Sequence, residues 1–551
     1  MMTGQSVWRS AIRNLFGTSQ GRRQRRPRRW REISNRSGFA QSAEVCEERA
    51  LLSGPAYGTG FSAQFANFGA AQGLCGVNGS TNSGMVTDSS GNLYINGAFS
   101  GTGNVNPFGT PYTLTSALSN DLPFVAKYGT NLNLQWVMNP SQYSTTTAST
   151  MQLFSNIAMD PVAGNIYVTG SLQGTMTLPT ASGTWTVTAV NQTGFVMGLD
   201  RNTGNLVWFA EYSPQVNSVA ADGSGNLYIH STITSAAAVP WTYLYGPGTG
   251  GNPIAVRPTA SGDSEPAFIK CDSNGNILWS GNFRTQTTAF GDSSVTMTVD
   301  GTGNVYFGGR IRGTVDVDPG PGIKTLTSVF QSDAVIGKID TNGNLVWVVH
   351  NTLTDNGCSD IVVDSNGNLD ASFSYPYALS VTVTVTGKGS HKTTTTTVVG
   401  GNLVQFDNNG NLNWYQTNTN NVTAILLDPA GNFYLGMGPN QASELSKYNS
   451  AGNLIWSVPN YGYGIQNMVI DPAGDIWTCG AGNGQVDVSP TSSPVYLTWP
   501  NNQTWALMLV KWTQPGGLAA ALPNGAGLGA FATVEGIGSG GNGDMKLKGH
   551  R

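Results

Sequence analysis

The 551-residue chain carries 72 glycines and only 11% charged side chains, which excludes a coiled coil or a Glu/Lys/Leu-rich helical bundle. A hydrophobic share of 39% excludes disorder throughout. Residues 1–50 hold eleven arginines and four acids, whereas 51–513 hold 13 basic against 25 acidic side chains, so the body is not a nucleic-acid-binding domain.

The first predicted element is a basic, disordered targeting arm over 1–54, with GRRQRRPRRWR at 21–31. Such an arm can touch nucleic acid or anionic lipid. No hydrophobic core of a signal peptide follows the arginines, and no apolar run reaches about 18 residues, so no transmembrane helix is expected. Five cysteines (Cys46, Cys75, Cys271, Cys358, Cys479) form no CxxC. That argues against a metal cluster or a disulfide framework and leaves one bridge, such as Cys75–Cys479, open.

Residues 55–514 are read as one repeat domain. Seven copies of an Asp…Gly-Asn-aliphatic-aromatic motif begin at Asp88, Asp160, Asp222, Asp300, Asp364, Asp428 and Asp471. The copy at 364 has Asp370 at the aromatic position, and the copy at 471 has Asp475 in place of Asn. Alternating with them are GNLVW (204–208), GNILW (275–279), GNLVW (343–347), GNLNW (410–414), GNLIW (452–456) and a degenerate NLNLQW (131–136). Glycine tolerates positive φ and Asp or Asn bonds its own turn backbone, so each motif predicts a hairpin turn. One pair of motifs gives two hairpins, a four-stranded meander, and the repetition predicts an all-β, seven-bladed β-propeller, with six or eight blades as alternatives. The last repeat lacks its fourth strand, so residues 60–69 are expected to pair with 505–512 and close the ring without an exposed edge. Residues 515–551 are Gly/Ala-rich and are expected to be a disordered tail.

GTVDVDPGPG (313–322), TLTS (325–328) and GKIDTNGNLVW (337–347), together with the Asp…Gly-Asn-Leu-Tyr element, resemble the bacterial seven-bladed β-propeller repeat family over about 60–513. The resemblance implies export and an extracytoplasmic or cell-surface role, and it brings no fixed catalytic residues. VCEERALLSG (45–54) is similar to the N-terminal box of exported planctomycete proteins, departing from it at Val45 to Arg49.

In a propeller every Gly-Asn turn falls on one face, and the connections of variable length fall on the other. Function more often sits on variable loops held by a rigid scaffold. Three inserts stand out there. PWTYLYGPGTGGN (240–252) places Trp241, Tyr243 and Tyr245 at alternating positions, suited to a sugar or a protein partner, or to packing on the next blade. SVTVTVTGKGSHKTTTTTVV (380–399) reads as a long hairpin, either a blade extension or an edge for another chain. Asp316 and Asp318 offer oxygen ligands to a single Ca²⁺.

No catalytic residues are assigned. His230, His350, His391 and His550 join no Ser/Asp or metal-ligand pattern. Lys127, Lys270, Lys338, Lys447 and Lys511 recur in third strands, which suits scaffold. The expectation is an exported, non-enzymatic binding or surface-structural module for a protein or carbohydrate. The alternative is a secreted hydrolase or lyase with its site at the central channel.

Overall fold

The computed structural model describes strand 62–67, most of 84–513, and short strands at 532–534 and 547–549. Within 84–513 the segments 107–109, 116–121, 145–155, 235–243, 246–263, 286–293, 352–356, 374–378, 399–402, 417–421, 438–443, 488–495 and 499–505, and a few shorter ones, lie outside the described residues. The chain divides into Met1–Gly54 and Pro55–Arg551, and all that follows concerns the second unit. Every described element is a β-strand, and no helix is long and apolar enough to cross a membrane. Within the stretch expected to be a disordered tail, Ala532–Val534 pairs with Leu547–Gly549.

The architecture is a β-propeller. The first sheet runs in chain order through Met85–Thr87, Leu93–Phe99, Leu122–Tyr128 and Leu134–Met138, all antiparallel. The same order recurs in six further sheets among the described residues, beginning at Asn156, Gln215, Ser294, Cys358, Val422 and Tyr461. In the seventh, the outermost place is filled from the other end of the chain. Ser62–Asn67 pairs with Ala506–Thr513, with Gln64 opposite Lys511.

The turns explain the repeat. In the fourth sheet the Asp300 backbone N–H donates to the Asn304 carbonyl, and the Gly303 N–H donates back to the Asp300 carbonyl, both at 3.0 Å. The Asp300 carboxylate accepts from the Thr302 and Asn304 amides and from the Asn304 side chain. Burial pushes this carboxyl up, but the combined donations outweigh it and hold it below its ordinary value. Gly303 sits at φ +89°, which is why glycine recurs there.

A second regularity runs across four of the sheets. Opposite residues form a row of Tyr, Lys and Trp on strands two, three and four: Tyr94–Lys127–Trp136 in the first sheet, Tyr228–Lys270–Trp279 in the third, Tyr306–Lys338–Trp347 in the fourth and Tyr434–Lys447–Trp456 in the sixth. Each ammonium lies 4.8–5.2 Å from the centre of its own row's tyrosine ring. The tryptophan then reaches across. Trp136 donates its indole N–H to the Arg201 carbonyl, Trp208 to Ser273, Trp279 to Thr341, Trp347 to Asn408 and Trp414 to Ser450. Every acceptor is the second residue of the three–four turn in the following sheet. Lys127 and Lys270 donate to the same carbonyls as their tryptophans. The recurring lysines are therefore scaffold.

The glycine of that neighbouring turn has a second task. A Cβ on Gly410 would lie 2.8 Å from the Trp347 ring, and one on Gly204 2.7 Å from Trp136. Apolar cores accordingly lie between sheets. One joins Tyr94, Val125 and Met138 to Ile157, Ile166 and Val168; another joins Trp347 and Val349 to Ile361, Leu369 and Phe406. A third unites Met85 and Leu93 with Trp477 and Leu509, and Thr87 donates its hydroxyl to the Ile470 carbonyl.

Trp347→Phe keeps the ring and removes the donor facing Asn408, so it is expected to destabilise the protein by about 1–2 kcal/mol in urea unfolding. Gly410→Ala is expected to cost more, because the turn residue has φ +83° and abuts the Trp347 ring. Unchanged unfolding midpoints for both would contradict the role given to this contact.

Candidate functional site

Turns between strands one and two, and three and four, leave the sheets at one end. The two–three connections and the continuations of the outer strands leave at the other, which we call the insert face. Four successive junctions there share one device. An insert forms β-bridges with the outer strand of the preceding sheet, or with that strand's continuation. Gln142–Ser144, continuing the first sheet, pairs with Thr175–Thr177 of the second. Leu244–Tyr245, in the insert of the third sheet, pairs with Ala210 and Glu211 of the second. Arg284–Thr285, continuing the third sheet, pairs with Val315 and Asp316 of the fourth. Leu379–Gly387, in the insert of the fifth sheet, pairs with Trp347–Asn351 of the fourth and folds back onto Ser390–Val398.

The last case corrects the sequence reading. The 380–399 hairpin extends the sheet before its own, because strands two and three of the fifth sheet already pair directly. The unpaired edge of Leu345–Asn351 takes the hairpin instead.

Of the aromatic trio, Tyr245 stands opposite Ala210 in the backbone pairing, whereas Trp241 and Tyr243 lie outside the described residues. Cys479 is disulfide-bonded, and Cys75, the partner weighed from the sequence, is also outside the described residues.

Asp316 and Asp318 take part in a clasp. Arg284 donates from Nη1 to Asp316 Oδ2 at 2.9 Å and from Nη2 to the Gly320 carbonyl at 2.5 Å. Asp316 Oδ1 accepts from the Lys324 amide at 2.7 Å and the Asp318 amide at 3.3 Å. Asp318 Oδ1 accepts from the Gly320 amide at 2.9 Å. The clasp shapes a hairpin whose flanks offer Ile323 and Val329 to solvent, 78% and 66% exposed. No group of three His, Cys, Asp or Glu is arranged to hold a metal among the described residues.

Sequence reasoning missed two buried acid sites near this face. Glu265 accepts from the Asn282 side chain at 2.9 Å and the Thr285 amide at 3.0 Å. Asp333 Oδ2 lies 2.9 Å from His350 Nε2 and also accepts from the Val329 amide. In the sequence Asp333 and His350 are 17 residues apart with no pattern to link them. His230 packs on Phe268 at 5.6 Å, fully inside, and burial drives its imidazole down to about 3, so it is neutral.

Arg284→Ala should raise hydrogen exchange at the Lys324 and Gly320 amides about tenfold or more, as loss of a charge-assisted clasp implies. Unchanged protection would mean that the hairpin holds its shape without the guanidinium.

No family model matches the chain, and no curated protein sequence is significantly similar to it. Among solved structures it is similar to the β-propeller domain of Myceliophteria thermophila Cps50 (Swd1), at 8% identity and TM-score 0.34 over 82% of this chain and 99% of that one. It is similar to the Dos1 propeller at 9% identity and TM-score 0.39, covering 83% and 97%. A gluconolactonase from Xanthomonas campestris matches at 11% identity and TM-score 0.27, covering 68% and 89%. Likenesses at this level transfer neither ligand nor activity, and the propeller assignment rests on the strand pairing.

Proposed function

We propose that the protein is an exported, non-enzymatic β-propeller of seven blades that holds a protein or a glycan on its insert face. The ring is closed by the strand at 62–67, which completes the last blade. The arm at 1–54 directs the chain to an extracytoplasmic or surface location, in keeping with the repeat-family and export-box resemblances. Trp241, Tyr243 and Tyr245 are the proposed ligand contacts, together with Ile323 and Val329 on the clasped hairpin.

The observation that carries this reading is the bracing of successive inserts by β-bridges to the preceding sheet. Bridged inserts form a pre-ordered surface, and pre-organisation lowers the entropic cost of association. The repeated Asp, Tyr, Lys and Trp side chains are meanwhile committed to turns and sheet junctions. The Asp333–His350 pair suggests proton chemistry, but Asp333 there also holds the Val329 amide, as a brace would.

The test is capture of envelope proteins and glycans by the full-length protein, with and without chelator, compared with a variant lacking 379–398 and with Trp241→Ala/Tyr243→Ala. Stable binding lost in the variants supports the proposal. Turnover of a glycan or peptide with no stable complex would favour the hydrolase or lyase reading. Removal of residues 1–67 is expected to cause self-association on size-exclusion chromatography, because Ala506–Thr513 loses its partner, whereas removal of 1–54 is not. A monomer after the longer deletion would sink the closure.

A further inference from the structure

The junction between the fifth and sixth sheets departs from the others in two respects. Its row reads Val362–Asp370–Gln405–Trp414, so a carboxyl and an amide replace the tyrosine and the lysine. In addition, the innermost strand of the fifth sheet carries Asp360, whose Oδ2 accepts from the Ile425 amide of the sixth sheet at 2.9 Å. Its Oδ1 accepts from the Ile361 amide at 2.8 Å.

Both carboxyls are offered toward the sixth sheet. Val362 and Trp414, which flank Asp370 and Gln405 in the row, pack with Val422, Ile425, Phe433 and Leu435. Asp360 and Asp370 are 4% and 0% exposed. Gln405 Nε2 donates to both Asp370 oxygens, at 3.1 and 3.3 Å. Among the described residues no lysine forms an ion pair with either acid. Ionisable groups that act on them are Cys358, beside Asp360, and Asp364, beside Asp370, both on the fifth sheet; on the sixth sheet the strand Glu444–Tyr448 carries Lys447. Lys447 is committed to Asp428 at 3.3 Å.

We propose that this junction is a pH-responsive seam of the ring: Asp360 and Asp370 hold it shut as neutral acids, and their ionisation loosens it. Desolvation raises Asp360 to about 8, opposed in part by the two amides, and raises Asp370 to about 7, opposed in part by Gln405. The sign follows from linkage. An acid whose folded value lies above its unfolded value of 3.8 contributes stability that is complete below 3.8 and is lost as pH rises through about 7 and 8.

The second–third junction supplies an internal control. There Asn156 Oδ1, which cannot ionise, accepts from the Val219 amide at 3.1 Å, in the same relation of one inner strand to the next. Hydrogen exchange of the unmodified full chain should be followed at Ile425 and Val219 between pH 5 and about 9, each corrected for intrinsic exchange. The protection of Ile425 relative to Val219 is expected to fall about tenfold or more across that range. A constant ratio would overturn the proposal. Asp370→Asn, and separately Asp370→Tyr with Gln405→Lys, should flatten the decline of the thermal midpoint with rising pH. A decline in both variants as steep as in the unmodified chain would also count against it.

Discussion

Five successive sheets of this protein each hand one tryptophan N–H to a turn carbonyl of the next. That contact makes the fold possible, because a four-stranded sheet with two apolar faces has no stability alone. The indole seals the gap between neighbouring sheets and satisfies a carbonyl that the turn leaves free. For the ring to fit, the turn must bring that carbonyl to the right place and must leave room for the indole. A glycine at positive φ does both, since any Cβ on Gly204 or Gly410 would strike the ring of Trp136 or Trp347. The lysine above the tyrosine reads as part of the same assembly, since Lys127 and Trp136 share the Arg201 carbonyl.

Because the contact is directional, its defects are informative. In the second sheet Gly198 replaces the lysine, and the Trp208 indole comes down over the vacated position. In the fifth, Asp370 and Gln405 take the tyrosine and lysine places and bond each other instead. The first substitution stays apolar and is absorbed by packing. The second buries a carboxyl, so it makes one junction sensitive to protons while its neighbours are not.

The repeat, the turns and the strand order were legible in the sequence, because Asp, Gly, Asn and Trp recur at fixed spacing and each has a local physical reason. The insert contacts were not legible. Arg284 and Asp316 are 32 residues apart and meet only because one continues an outer strand and the other opens the next insert. The 380–399 hairpin showed its own pairing through Thr/Val alternation, but its choice of the preceding sheet depends on which edge lies free in three dimensions. Asp360 was hidden for another reason: it follows Cys358 and Ser359 at the head of an otherwise apolar strand, and its partner amide at Ile425 belongs to another repeat.

The proposed division of labour, with scaffold on the turn face and platform on the insert face, would separate stability from binding. The most direct measurement is a paired scan in which residues of the repeated turns and residues of the inserts are replaced singly, with unfolding free energy and partner affinity measured for every variant. Substitutions in the turns, such as at Gly343 or Gly410, should lower stability and leave the affinity of the folded fraction unchanged. Substitutions in the inserts, such as at Ile323 or Trp241, should do the reverse. Loss of affinity from turn substitutions at unchanged stability would contradict the account, because it would place the working surface on the face assigned here to the scaffold.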